Sequence, residues 1–210
     1  DDMVSRGLGD VYKRQILIDI PHDFLQQVCD FDLPDPTTYS VGMVFLPTKE
    51  NQRHFCINTI NEEFEKQGLE VIGWREVPTN QMIVGEIAGR TLPHIEQVFV
   101  RPNEGKSLNE KELNTKTFIA RKIAEHKVYA TKMSQASYFY LPSLSTRTLI
   151  YKGLLVPEDI ERFYTDLTDK RVVTRLALVH QRFSTNTFPT WDLAQPFRCL
   201  LYTSDAADEV

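Results

Sequence analysis

Apolar residues recur along this chain in two periods, and the alternation between them predicts its elements. Short apolar or alternating runs at residues 16–20, 39–46, 71–77, 95–100, 138–141, 148–151 and 172–179 have the length and β-branched content of strands. Between them lie helical patterns. Pro21 opens a short helix running to Cys29, and Ile57, Ile60 and Phe64 recur at helical spacing ahead of Gly68, a residue suited to close a helix. Residues 111–127 predict a further helix with Ile119 and Ile123 on its inner face. Pro157 is placed to begin another, with Ile160, Phe163, Tyr164 and Leu167 as one apolar stripe. Leu33-Pro34-Asp35-Pro36, the Gly85/Gly89/Pro93 stretch and a Pro142-Ser143 turn read as connections. Strands in groups with amphipathic helices between them indicate an α+β layered architecture, and the pattern leaves strand order open.

The last predicted strand delivers the densest polar segment, His180-Gln181-Arg182-Phe183-Ser184-Thr185-Asn186-Thr187. A guanidinium forks onto a carboxylate through two parallel hydrogen bonds, and neighbouring hydroxyls and an amide can orient the rest of a small polar ligand. Arg182, with Thr185, Asn186 and Phe183, therefore forms a candidate amino-acid pocket. The plainer alternative is a solvated turn, in which Arg182 makes a surface ion pair, Thr185 and Asn186 bond the local backbone and Phe183 packs in the core.

Composition narrows the classes. With 210 residues, 41% apolar and 25% charged, the chain can bury the core of one globular domain or a large part of one. A net charge of −5 without a clustered basic face argues against a nucleic-acid partner. No apolar run approaches membrane-spanning length and no leader pattern opens the chain, so neither membrane nor export is expected and the cytoplasm is the expected compartment. The five histidines are scattered without metal-ligand spacing, and Glu62, Glu63 and Glu65 read as a solvated acidic face. Gly85 and Gly89 make no phosphate-binding loop. Three cysteines without framework spacing suggest free thiols in a reducing compartment. Residues 1–15 and 199–210 lack periodicity and resemble translated adapter sequence. They are expected to be a non-native leader and tail that pack poorly around a native segment at 16–198.

Three ordered stretches carry a family resemblance: the 180–187 segment with Phe188-Pro189, Trp191 and Ala194 to Arg198 behind it; residues 143–155, SLSTRTLIYKGLL; and residues 68–78, GLEVIGWREVP. Together they resemble the class II glutamine amidotransferase domain of glutamate synthase large subunits. Other class II amidotransferases usually carry Trp and His where Phe183 and Asn186 stand here. The resemblance implies the four-layer αββα N-terminal-nucleophile hydrolase fold, truncated at both ends. It also implies release of ammonia from L-glutamine for glutamate synthesis from 2-oxoglutarate, with Arg182, Thr185, Phe183 and Asn186 at the glutamine site. FMN and an iron–sulfur cluster are expected in the full-length enzyme and none in this chain, whose partners would be the remaining domains of the large subunit. The family's nucleophile is an N-terminal Cys, whereas position 1 is Asp1; Cys29 and Cys56 are internal, and Cys199 lies in the suspected tail. The oxyanion-stabilising Asn-Gly is absent after Arg198. No catalytic residue is therefore expected here, and the fragment is expected to be inactive. A non-catalytic amino-acid-binding or regulatory module of similar fold is the second reading.

Overall fold

Strand β2 (Ser40–Leu46) is buried at every position, and the rest of the fold is layered on its two sides. Val41, Met43 and Phe45 point one way with Phe99 and Ile95 of β4 (His94–Pro102), into a core shared with Ile18, Leu149 and Tyr151. Val44 and Leu46 point the other way with Val98 and Val100, against two long helices. The strict two-residue alternation of side chains thus divides one apolar run between two cores. The computed structural model describes residues 12–183, 190–192 and 194.

Two antiparallel sheets result. One has the order β3-β4-β2-β5, with β3 at Leu69–Glu76 and β5 at Tyr140–Ser145. The other has the order β6-β1-β7, from β6 (Thr148–Leu154), β1 (Tyr12–Asp19) and β7 (Ala177–Phe183). The short β5–β6 connection carries the chain from one sheet to the other. Helices α2 (Glu50–Lys66) and α4 (Glu110–Ala130) cover the outer side of the four-stranded sheet. Shorter helices, α1 (His22–Val28), α3 (Glu86–Gly89) and α5 (Ile160–Phe163), lie around the core between the sheets. Helix, sheet and sheet follow in the order expected of the α+β, αββα architecture. Among the described residues no helix is long and apolar enough to cross a membrane.

Local signals fix the long helices. Asn109 accepts from the Glu112 amide and Glu112 from that of Asn109, a reciprocal capping box that satisfies two orphan donors at the start of α4. Gly68 closes α2 at a φ of 73°, a region open to glycine at little cost.

Several expectations change in the structure. The buried side of α4 is Leu113, Thr117, Ala120, Ala124 and Val128, while Ile119 and Ile123 are 39% and 37% exposed. At the middle of the helix the small side chains of Ala120 and Ala124 face the sheet, and Ile119 and Ile123 lie off that side. Glu63 is buried rather than solvated, with Lys66 and Lys127 bonded to its Oε1 at 2.6 and 2.7 Å. Burial alone would raise that carboxyl, and the two ammonium groups outweigh it, holding it below the ordinary carboxylate range. Pro142 lies within β5 rather than in a turn; β5 is an edge strand and its pairing with β2 is irregular there, so the missing N–H breaks no ladder. The chain turns instead at Thr146-Arg147, between β5 and β6. The stretch after Pro157 breaks at Tyr164, whose ψ of 93° is extended, yet Ile160, Phe163 and Tyr164 are buried as the stripe requires. The Gly85/Gly89 connection contains the one-turn α3.

Candidate functional site

Tyr12 to Gln15 pair with β7, and that pairing shapes the segment around Arg182. The register sets Gln15 against His180, Lys13 against Arg182 and Tyr12 against Phe183. His180, Gln181, Arg182 and Phe183 are therefore the second half of a strand, not a turn following one at Val179. Residues 12–15 supply its partner, with Lys13 and Gln15 buried, so the boundary at residue 15 runs through β1 rather than at its edge. Residues 172–176, expected as the start of that strand, are irregular.

Arg182 and Phe183 thus have a backbone position at the end of β7. Thr185 and Asn186, Phe188 and Pro189, the 195–198 stretch, Cys199 with the rest of the tail, and residues 1–11 lie outside the described residues. The chain re-enters at Thr190-Trp191-Asp192 and Ala194. Trp191 is 2% exposed, donates from Nε1 to the Ala88 carbonyl at 2.9 Å and packs against Phe45 and Phe163. Beside it is a cavity of about 50 Å³ lined by Phe45, Thr91, Thr190 and Asp192, among others. The hydroxyls of Thr91 and Thr190 are buried with no hydrogen-bond partner among the described residues.

The middle row of the small sheet is polar: Lys152 of β6, Gln15 of β1 and His180 of β7 stand in register. Lys152 is fully buried, and its ammonium donates to the carbonyls of Asp192 and Ala194 at 3.1 and 2.9 Å. It also stands 4.3 Å over the Tyr140 ring. Gln15 is 1% exposed, and its Oε1 has no partner among the described residues.

A second polar cluster, missed in the sequence, sits between the sheets. Arg75 donates from Nη1 and Nη2 to the two carboxylate oxygens of Asp166 at 2.8 and 2.7 Å, and from Nη1 to Gln97 at 2.9 Å. Tyr151 donates to the same carboxylate at 3.3 Å. Desolvation acts to weaken the Arg75 charge, and the paired carboxylate overrides it and raises the group. Burial also pushes the Tyr151 phenol well up, with the Asp166 charge adding to it. Isolated in the sequence, Arg75 and Asp166 are 91 residues apart and carry no joint signal.

The described thiols are not activated. Burial pushes Cys29 up to about 11 and Cys56 up to about 12, so each is a protonated, inert thiol near neutral pH. Among the described residues no group of His, Cys, Asp and Glu could hold a metal ion.

Comparison with known proteins decides the family: the family described as glutamine amidotransferases class-II matches residues 9–205. The chain belongs to that family. It is 40% identical over 194 residues to the glutamate synthase [NADPH] large chain of Bacillus subtilis, covering 90% of this chain and 12% of that protein. It is 45% identical over 166 residues to ferredoxin-dependent glutamate synthase 2, chloroplastic, of Arabidopsis thaliana, covering 79% and 10%. With glutamate synthase [NADH] of Saccharomyces cerevisiae it shares 35% over 212 residues, covering 96% and 10%. This amidotransferase chain spans about a tenth of the length of these relatives. Its match reaches past both sequence boundaries expected at 15 and 199.

Proposed function

We propose that this chain is part of the glutaminase domain of a glutamate synthase, the part that binds L-glutamine so that ammonia can be released from its side-chain amide and joined to 2-oxoglutarate elsewhere in the large subunit. The observation that carries this reading is the 40% identity to a glutamate synthase large chain over 90% of the chain. Arg182 is assigned to the glutamine α-carboxylate. Its place at the end of β7 supports this, because a strand paired along its length holds its terminal residue in a fixed position. Thr185 and Asn186 are assigned to the polar groups of the amino acid and Phe183 to its methylene chain.

Amide hydrolysis in this class needs a thiolate to attack the amide carbon, an amine to move the proton onto the departing ammonia, and donors for the tetrahedral oxyanion; water then releases glutamate. Cys29 and Cys56 do not fit the first role, since partial burial of the one and full burial of the other raise both thiols and keep them protonated. The chain by itself is proposed to hold no turnover. FMN and the iron–sulfur cluster are assigned to the remaining domains of the large subunit, and the cytoplasm, where free thiols such as Cys29 and Cys56 persist, is the proposed compartment.

The test compares glutamate release from glutamine by the purified chain and by a full large chain containing it. Release by the full large chain alone supports the assignment. Turnover by the chain alone contradicts the inactivity, and a full large chain that binds glutamine without hydrolysing it contradicts the glutaminase reading.

A further inference from the structure

Each sheet ends in two edge strands, and three of these four edges are covered or blunted. β6 is buried at every position from Leu149 to Leu154. β5 carries Pro142 and pairs irregularly with β2. β3 carries Glu70, Arg75 and Glu76, and its pairing with β4 shifts register between Val71 and Gly73. Proline, charge and broken register are the devices that keep a sheet edge from recruiting another strand. β7 uses none of them. Its register against β1 runs unbroken from Ala177 to Phe183, and no Asp, Glu, Lys, Arg or Pro stands between Arg175 and Arg182.

The cover over this sheet also thins toward β7, on both faces at once. On one face Ile150 is buried, its partner Leu17 is half-buried, and Leu178 beyond is 42% exposed. On the other face the same series runs from buried Tyr151 through half-buried Ile16 to Val179, which is 53% exposed. Leu176, just ahead of the strand, is 51% exposed. Among the described residues no strand pairs with the far edge of Ala177, Leu178 and Val179. An aliphatic, uncharged run that is apolar on both faces has the composition of an interior strand of a sheet, not of its edge.

We infer that this sheet continues past β7 in the full large subunit: an extended aliphatic segment, supplied by the part of that subunit outside this chain, pairs along Ala177–Val179. This rests on the proposed reading of the chain as part of a large subunit, whose relatives are so long that the chain spans about a tenth of them. The segment is uncharged on both faces, because it has to meet Leu178 on one and Val179 on the other, and a charge there would be desolvated without a partner. Supply from the same polypeptide favours it over a second copy, since a tethered segment meets the edge at a high effective concentration.

The experiment uses the full large chain containing this segment and measures residue-resolved hydrogen exchange across β1 and β7 at two protein concentrations. A strand paired on one side bonds every second amide, whereas a strand paired on both sides bonds them all. The amides of Ala177, Leu178 and Val179 are therefore all expected to exchange about 100-fold or more slowly than unprotected amides, to the same extent at both concentrations. Fast exchange at every second amide overturns the inference, and protection that falls on dilution overturns the assignment to the same polypeptide in favour of a second copy. Val179→Lys, which places a charge in the joint, is expected to speed exchange at Ala177 and Leu178 by about ten-fold or more while Ile16 to Ile18 stay protected. Unchanged exchange in that variant overturns the aliphatic contact; if the variant does not fold, the pattern in the parent decides. Failure of the glutaminase reading shows separately, as absence of glutamate release by the same preparation, and leaves the exchange pattern as it is.

Discussion

Arg75 and Asp166 meet between the two sheets as a two-pronged ion pair, with hydrogen bonds of 2.8 and 2.7 Å and side chains 11% and 2% exposed. Gln97 and Tyr151 complete the arrangement, so the charges are paired and also hydrogen-bonded, the condition under which a buried pair is tolerated. Arg75 belongs to β3, Gln97 to β4 and Tyr151 to β6. The cluster therefore links both sheets.

Asp166→Asn keeps the shape and removes the charge, leaving the Arg75 guanidinium buried without its carboxylate. A loss of about 3–5 kcal/mol in unfolding free energy is expected. Urea denaturation of the purified chain measures it, and a loss below about 1 kcal/mol, the scale of an exposed pair, would show that the cluster is solvated.

Glu63 makes the fold sensitive to acid. Its folded-state carboxyl lies below the ordinary value of 4.5, so its contribution is fully present above that value and is lost as pH falls through the lower, folded value. Glu63→Gln is expected to lower the thermal midpoint at pH 7. The gap to the parent should close as pH falls below 4.5 and through the lower, folded value. A gap independent of pH would show that packing, not charge, is what the substitution removes.

Gly153→Ala tests the notch under Trp191. A methyl group cannot be placed 2.4 Å from an aromatic carbon without displacing it, so a destabilisation of about 1–3 kcal/mol is expected. Trp191 emission should shift to longer wavelength as the ring becomes more exposed. With Trp74 the only other tryptophan in the chain, a Trp74→Phe background isolates that signal. Unchanged stability and emission would mean that the ring does not occupy this notch.

Much of the fold was legible because the strongest patterns are local. The run at β2, the Ile60/Phe64 spacing and Gly68 each follow from side-chain period or backbone freedom and need no knowledge of partners. What was illegible depends on partners. Ile119 and Ile123 have helical spacing, but the sheet accepts the smaller Ala120 and Ala124 side instead. Pro142 stops a central strand and not an edge strand, and edge position is a property of the assembled sheet. The strand through Arg182 continues past Val179 because residues 12–15 pair with it, and the polar run at 180–183 carries no local sign of that partner. For the candidate site, the motif marked the segment around Arg182, while Lys152 and Gly153 emerged only when β6 was placed against the Trp191 turn.

Arg182 is proposed to bind the α-carboxylate of glutamine, and the glutamine dependence of an Arg182 variant is the direct test. Arg182→Gln in the full large chain removes the charge but leaves a hydrogen-bonding group, and loss of charge-assisted bonds predicts a rise in the glutaminase KM of about 10- to 100-fold. The measurement is glutamate formed from glutamine at a series of glutamine concentrations, beside the parent enzyme under the same conditions. A KM for glutamine equal to that of the parent would show that Arg182 does not hold the carboxylate.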